Sequence, residues 1–184
     1  MGKLLVVRHG ETESNALGRY CGSQDVPLND TGVAQAEAAA ENLPRHEIDV
    51  VICSPLRRAR QTAELLMPQA KETMLIWDDF RERCMGVYEG LTREEIRAQY
   101  PLFWQQDALR QLDFAPDGAE TMREVRERVI RGMERIIANF AGKTVLLVTH
   151  GYVSREIHRY FNQLTDEEMH AYSLGNCVIA TYEF

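Results

Sequence analysis

The stretch LLVVRHGETESN, residues 4–15, runs four aliphatic residues directly into Arg-His-Gly-Glu-Thr. Unbroken aliphatic runs are typical of strands that are covered on both faces, as in a parallel α/β sheet. In open α/β sheets, ligands bind beyond the carboxyl ends of the strands. Arg8 and His9 stand at such an end, and the stretch therefore predicts both a central strand and a candidate site.

Two further runs, Val50–Cys53 and Val145–Val148, have the same aliphatic character, and residues 177–184 indicate a final strand. Each aliphatic run is followed by a helical pattern, and this alternation predicts one layered α/β domain. The predicted helices span residues 32–43, 55–67, 93–100, 120–140, 151–161 and 166–172. The expected helix starts are Asn29, Asp30 or Thr31 for the first, Pro55 in the first turn of the second, and Thr92 and Thr165 as caps.

Residues 1–184 are expected to form a single domain, since the chain has no repeat, low-complexity tract or linker. Its least regular part is a helical excursion at about residues 92–118. Two interpretations of this excursion stay open: it covers the active site, or it pads the sheet.

The net charge of −7 argues against general nucleic-acid binding, which needs an excess of lysine and arginine. No apolar run approaches the ~20 residues of a membrane-spanning helix. The apolar stretch before Arg8 is too short for a signal peptide. The four cysteines are widely spaced, without a C-x-x-C pair, which favours free thiols in a reduced, cytoplasmic protein.

Each of the three aliphatic strands is followed by a histidine, by arginines or by both. Arg8-His9-Gly10 follows the first strand, Ser54-Pro55-Leu56-Arg57-Arg58 the second, and Thr149-His150-Gly151 the third. A single histidine at a strand end is typical of a structural residue, and Arg57, Arg58 and Arg60 alone are typical of a solvated helix face. Two His-Gly pairs that both stand between a strand and a helix favour a function. Two imidazoles and two guanidiniums in one pocket would repel each other, and a ligand with several anionic oxygens, such as phosphate, would relieve that repulsion.

The sequence has no Walker A pattern and no metal-ligand spacing. We therefore expect no metal and no cofactor, and chemistry that side chains carry out alone. Histidine can act as a nucleophile toward phosphorus. His46, His158 and His170 are expected to be structural or surface residues.

The motifs resemble those of the histidine phosphatase, or phosphoglycerate mutase-like, superfamily. The similarity covers nearly the whole chain in the family's order, in the segments VVRHGETESN (6–15), CGSQDVPLNDTGVAQA (21–36), CSPLRRARQTAELL (53–66), RERCMGVYEG (81–90), PDGAETMREVRERV (116–129) and LLVTHG (146–151). The resemblance implies a three-layer α/β/α sandwich with a mostly parallel central sheet.

The resemblance also implies a site. His9 attacks phosphorus and becomes phosphohistidine, and a backbone carbonyl is expected to hold its other ring nitrogen. Arg8, Arg58 and His150 bind the phosphoryl oxygens, and Glu82 protonates the leaving oxygen. The residues expected to bind phosphate or substrate are Arg8, Asn15, Cys21, Gly22, Arg58, His150 and Gly151, with Thr149 shaping the pocket.

The implied activity is that of a phosphatase that acts on a small phosphomonoester. The segment MGVYEGLTREEI, residues 85–96, is similar to small bacterial phosphatases, among them the alpha-ribazole phosphatases, so alpha-ribazole 5'-phosphate is a candidate substrate. The leaving-group side is expected to include Tyr20, Cys21, Cys84, Met85, Phe103 and Trp104, although core packing explains these residues equally well.

Two alternatives remain. The Cys-Gly and Glu-Arg pairs at Cys21 and Glu82 partly resemble a cofactor-dependent phosphoglycerate mutase, and Arg93 falls where mutases carry a substrate-binding lysine. The short chain, which has no Arg-Arg pair in residues 101–114, favours a phosphatase. The other alternative is a non-catalytic phosphate-binding module. The predicted C-terminal edge strand is compatible with a monomer or a homodimer.

Overall fold

The computed structural model describes the whole chain, Met1–Phe184, and its centre is a five-stranded sheet. The strands are β1 (Lys3–Arg8), β2 (Val50–Cys53), β3 (Leu75–Ile76), β4 (Thr144–Thr149) and β5 (Ile179–Glu183), in the spatial order β3-β2-β4-β1-β5. The first four are parallel, and β5 runs antiparallel to β1 at the edge. The mostly parallel sheet predicted from the aliphatic runs is therefore confirmed.

Alternate residues along the strands point to opposite faces of the sheet, and each face has its own hydrophobic core. Leu4, Val6 and Leu147 pack on one face with the apolar residues of two helices, α6 (Met122–Asn139) and α7 (Gly151–Asn162). Leu5 and Val7 pack on the other face with α2 (Asp30–Asn42) and α3 (Arg57–Leu66). Helices cover both faces, so the fold is the expected three-layer α/β/α sandwich.

The remaining helices are short: α1 (Glu13–Ala16), α4 (Arg93–Gln99), α5 (Pro101–Gln105) and α8 (Asp166–Ala171). Four 3-10 turns lie at Arg45–Glu47, Pro68–Ala70, Asp78–Phe80 and Gly86–Tyr88. None of the helices is both long and apolar enough to cross a membrane.

The predicted helix starts are confirmed at three places. Asn29 caps α2 by accepting a hydrogen bond from the Gly32 N–H, while Thr92 and Thr165 form capping boxes at α4 and α8. The prediction is wrong at Pro55, because α3 begins only at Arg57. The Ser54 hydroxyl accepts a hydrogen bond from the Leu56 N–H and holds Pro55 and Leu56 in a turn before the helix.

Candidate active site

The carboxyl ends of β1, β2 and β4 meet at one edge of the sheet and bring the predicted cations together. His9 follows β1, Arg58 lies in the first turn of α3 after β2, and His150 follows β4. The two imidazole rings lie 5.1 Å apart, centroid to centroid. All three side chains are buried, with exposed fractions of 3% for His9, 1% for Arg58 and 0% for His150.

The tautomer of His9 is fixed by its hydrogen bonds. Nδ1 lies 2.7 Å from the Gly10 carbonyl, which can only accept, so Nδ1 carries the proton. Nε2 accepts a hydrogen bond of 3.2 Å from Arg58 Nε. Burial, together with the charge of Arg58, holds the pKa of His9 well below its ordinary value. His9 is therefore neutral with its lone pair on Nε2, and the expected contact with a backbone carbonyl is confirmed.

The backbone around His9 is held from three sides. The Gly10 N–H donates to Thr62 Oγ1 at 3.1 Å, and Asn176 Nδ2 donates to the His9 carbonyl at 2.7 Å. A Cβ atom on Gly10 would lie only 2.4 Å from the Gly32 carbonyl oxygen, so this contact with α2 requires glycine. These contacts fix where the His9 imidazole projects.

The guanidinium of Arg58 is anchored by the loop at residues 22–24. Nη1 donates to the Gln24 carbonyl at 2.6 Å, and Nη2 donates to the Gly22 carbonyl at 2.8 Å. Gly22 adopts a φ of +52°, and a Cβ atom there would lie 2.2 Å from Glu89 Oε1. In this structure Gly22 therefore orients Arg58, and glycine is required for it to do so.

His150 is paired with Ser54 in the interior. Its Nε2 shares a hydrogen bond of 2.6 Å with Ser54 Oγ, while Nδ1 has no partner in the protein. Burial, and then the charges of Arg58 and His9, hold the pKa of His150 well below its ordinary value. The Thr149 side chain is buried, and its hydroxyl donates to the Phe80 carbonyl at 2.9 Å.

Arg8 and Glu82 lie at the edge of a cavity. Arg8 donates to the Leu174 carbonyl at 3.1 Å, and its buried Nε has no partner. A Cβ atom on Gly151 would lie 3.5 Å from that Nε, in ordinary contact with the guanidinium. Glu82 accepts hydrogen bonds from the backbone N–H groups of Arg83 (2.9 Å) and Tyr152 (3.2 Å).

The cavity has a volume of about 660 Å³. Besides Arg8, Glu82 and Gly151, its lining includes four of the residues expected on the leaving-group side, namely Tyr20, Met85, Phe103 and Trp104. Cys21 and Cys84 are not among its lining residues. The Cys21 thiol contacts the Gln24 carbonyl at 3.7 Å, and Asn15 forms a capping box with Thr12 at α1.

Several residues around the site escaped the sequence analysis. They are Ser54, which bonds to His150, Thr62 and Asn176, which bond to the backbone of Gly10 and His9, and Tyr152 and Arg155, which line the cavity. His170 was expected to be a structural or surface residue, and it lines the cavity instead. Ser54 and Thr62 lie inside the quoted segment of residues 53–66, and that segment was the available signal. Among the remaining histidines, His46 is exposed and His158 stacks on Tyr172. No group of three or more His, Cys, Asp or Glu side chains is arranged to hold a metal ion.

A family model described as histidine phosphatase superfamily (branch 1) matches residues 4–184. The uncharacterized phosphatase PhoE of Bacillus subtilis is 32% identical over 186 residues, which cover 100% of this chain and 89% of that protein. An acid phosphatase of Mycobacterium tuberculosis is 35% identical over 187 residues, covering 95% of this chain and 85% of that protein. A 2,3-bisphosphoglycerate-dependent phosphoglycerate mutase of Gloeobacter violaceus is 31% identical over 188 residues, covering 100% of this chain and 86% of that protein.

Among solved structures, mycobacterial glucosyl-3-phosphoglycerate phosphatase in complex with VO3 superimposes with a TM-score of 0.86. It is 28% identical, and the match covers 97% of this chain and 91% of that chain. The similarity therefore extends over the full sandwich and the strand ends that carry the site.

Proposed function

The chain belongs to the histidine phosphatase superfamily, and on that premise we propose that it hydrolyses a small phosphomonoester through a phosphohistidine on His9. The observation that carries the proposal is the state of His9. It is neutral, its Nδ1–H is held by the Gly10 carbonyl, and its Nε2 lone pair lies beside the Arg58 guanidinium. A fixed, uncharged imidazole next to an oxygen-binding cation is suited to attack phosphorus.

In the first step, His9 Nε2 bonds to phosphorus as the bond between phosphorus and the leaving oxygen breaks. A phosphoryl oxygen takes over the hydrogen bond that Arg58 Nε donates to His9 in the free protein, which frees the lone pair. Arg8, Arg58 and His150 stabilise the charge on the equatorial oxygens. Protonated Glu82 gives its proton to the leaving oxygen and becomes a carboxylate.

In the second step, water takes the place of the leaving group. The Glu82 carboxylate accepts a proton from the water as its oxygen bonds to phosphorus, and the bond to His9 breaks. Inorganic phosphate leaves, His9 is restored, and Glu82 is protonated again. No metal or organic cofactor takes part in this scheme.

The leaving group is proposed to occupy the 660 Å³ cavity, a size typical of sites for small organic molecules. Residues 92–118 supply part of its lining, including Phe103, Trp104 and Leu109. We propose that this helical excursion covers the leaving-group side of the site. Alpha-ribazole 5'-phosphate remains the specific substrate to test first, on the strength of residues 85–96.

The second candidate function is that of a phosphoglycerate mutase, in which phosphohistidine returns its phosphoryl group to bound substrate. Its specific support is Arg93, which lines the cavity, together with the mutase relative that matches the chain over its full length. The two functions share the first step and differ in the acceptor, which is water in one and a hydroxyl of the substrate in the other.

The test compares the wild type with His9→Ala and with His46→Ala, a control that removes an exposed histidine far from β1 in sequence. Each is incubated in chelator with a panel of phosphomonoesters, including alpha-ribazole 5'-phosphate and 3-phosphoglycerate with and without 2,3-bisphosphoglycerate. Phosphate release by the wild type and His46→Ala, absent in a folded His9→Ala, supports the phosphatase. Formation of 2-phosphoglycerate with little free phosphate supports the mutase, and no turnover at all favours a phosphate-binding module.

A further inference from the structure

We propose that the cavity contains a second subsite, formed by Arg155, Tyr152 and His170, which binds an anionic group of the leaving group, a carboxylate or a second phosphate. The inference rests on the proposed phosphatase function and narrows its substrate class. All three residues line the cavity that also contains Arg8 and Glu82.

The cavity lining has more arginines than carboxylates, and Arg155 is one of the arginines without a carboxylate partner. The lining includes four arginines, Arg8, Arg93, Arg110 and Arg155, but only two carboxylates, Glu82 and Asp107. Arg110 lies 3.6 Å from Asp107. Arg155 lies on α7, the helix that begins with Gly151. It makes no salt bridge in the protein. An anionic ligand would supply the missing partner.

Arg155 is oriented as a preformed binding group. Its Nε donates to the Tyr172 carbonyl at 2.9 Å, which leaves the two Nη groups without an acceptor in the protein. The side chain is only half-buried. Its charge is close enough to Arg8 to contribute to the lowered pKa of that guanidinium, after the larger effect of burial. Arg155 shares the cavity with Arg8, Glu82 and Gly151, whereas His9, Arg58 and His150 are not among the lining residues.

Tyr152 and His170 provide a second, independent observation. The Tyr152 hydroxyl and His170 Nε2 are shielded from solvent and have no hydrogen-bond partner, and the two rings lie 6.2 Å apart. Burial raises the pKa of Tyr152 to about 12, so its hydroxyl keeps its proton and can donate. Buried polar groups without partners are rare and costly in folded proteins. Neither atom is exposed to the cavity in the free protein, so we expect the two rings to shift when an anion binds at Arg155, which would bring these groups to a ligand oxygen.

The backbone connects this subsite to the reaction. The N–H of Tyr152 donates to Glu82, the proposed proton donor to the leaving oxygen. Apolar side chains, among them Ile96, Phe103 and Trp104, line the same cavity. The substrate class that fits is a phosphomonoester whose leaving group has an apolar or aromatic body and a second anion.

The test uses three substrates with the same insulated benzyl leaving group: 4-(phosphonooxymethyl)benzoate, its uncharged carboxamide, and 1,4-bis(phosphonooxymethyl)benzene. We expect the wild type to hydrolyse the carboxylate with a kcat/KM about tenfold higher than that for the carboxamide, because only the carboxylate can accept a hydrogen bond between two charged groups from Arg155. Arg155→Gln should bring that ratio close to one, mainly through KM. The matched control is Arg97→Gln, an exposed arginine on α4 outside the cavity lining, which should leave the ratio unchanged.

Tyr152→Phe is the second variant, because it removes only an unpartnered hydroxyl and should fold even if Arg155→Gln does not. It should lower the ratio by roughly threefold. The bisphosphate shows whether a carboxylate or a phosphate is the better second anion. If the wild type hydrolyses carboxylate and carboxamide equally, or both variants keep the preference, the subsite is wrong and the phosphatase stands. If none of the three substrates is hydrolysed although the phosphomonoester panel is, the subsite is wrong and the phosphatase stands. If neither set shows His9-dependent hydrolysis, the proposed function fails and the subsite fails with it.

Discussion

The hydrogen bond between Ser54 Oγ and His150 Nε2, 2.6 Å long, joins residues from two different strand ends inside the protein. His150 has no other polar side-chain contact, because its Nδ1 is unpartnered. Ser54 therefore fixes the orientation of a histidine that is proposed to bind phosphoryl oxygens. It acts on the substrate only through His150 and is a positioning residue.

Ser54→Ala should reduce both stability and activity. The buried Nε2 of His150 loses its partner, which costs roughly 1–3 kcal/mol of unfolding free energy in urea denaturation. The freed ring should also lower kcat/KM for a phosphomonoester by about tenfold, as expected when an oriented hydrogen-bonding group is lost. A loss of stability with unchanged kcat/KM would show that Ser54 supports the fold and does not position His150 for catalysis.

The sequence predicted the side chains that meet at this edge of the sheet and the contact of His9 with a backbone carbonyl, but not the other contacts that hold these side chains. Arg8, His9 and His150 could be predicted because they directly follow aliphatic strands, whose carboxyl ends share one edge. The bond between Ser54 and His150 spans 96 positions in the sequence. It depends on the spacing of β2 and β4 and on side-chain rotamers, which no local pattern encodes. Arg155 was missed for a similar reason, since nothing in its neighbourhood in sequence shows that it lacks a carboxylate partner.

Helix α6 holds the segment that carries Glu82. The buried Arg128 makes a bidentate pair with Glu120, at 2.9 and 3.0 Å, and donates to the carbonyls of Asp79 and Arg81. Glu120 in turn accepts a hydrogen bond from the Cys84 N–H at 2.8 Å. Arg128 thus connects α6 to the backbone on both sides of Glu82.

Arg128→Met should destabilise the protein by about 3 kcal/mol, because it leaves the partly buried carboxylate of Glu120, 19% exposed, without its cation. Activity should fall as well, since the backbone on either side of Glu82 is released. The matched control is Arg131→Met on the same helix, whose exposed side chain lies 3.3 Å from Asp79. Asp79 keeps its other partner, Arg135, at 2.7 Å, so losing the exposed guanidinium of Arg131 should cost at most about 1 kcal/mol. Equal losses for the two variants, measured by urea denaturation, would contradict this assignment.

The elements themselves differ in how well a local pattern predicts them. Helices α2, α4 and α8 begin directly after capping side chains. A cap bonds to a backbone N–H only three residues further on, so a short stretch of sequence is enough to predict it. Strand β3 was not predicted. It is two residues long, and Leu75 and Ile76 are both exposed, so neither length nor burial distinguishes it from a loop. It is a strand only because it pairs with Ile52 and Cys53 of β2.

Although its net charge is −7, the chain places arginines around two buried, neutral histidines. Burial is the largest cause of the lowered pKa of both His9 and His150, and the charge of Arg58 is the next. The arrangement that keeps His9, the proposed nucleophile, uncharged must therefore also make the folded state sensitive to acid.

The sign of this sensitivity follows from the direction of the two pKa shifts. In the unfolded chain both imidazoles take up a proton near their ordinary pKa of 6.5, whereas in the folded protein they resist protonation. The stability that the two neutral imidazoles contribute is fully present above that pH. As the pH falls below it, the unfolded chain takes up protons that the folded protein does not, and the free energy of unfolding decreases. Between about pH 7 and about pH 5.5, each imidazole should cost the folded protein about 1 kcal/mol of unfolding free energy.

The measurement is urea denaturation of the wild type and of His9→Gln/His150→Asn at both pH values. Carboxylates and the other histidines titrate in both proteins, so the difference between their losses isolates the two buried imidazoles. We expect the wild type to lose roughly 2 kcal/mol more than the double variant on acidification. Equal losses would mean that His9 and His150 are protonated in the folded protein at about pH 5.5, and a neutral His9 nucleophile would then be excluded at that pH.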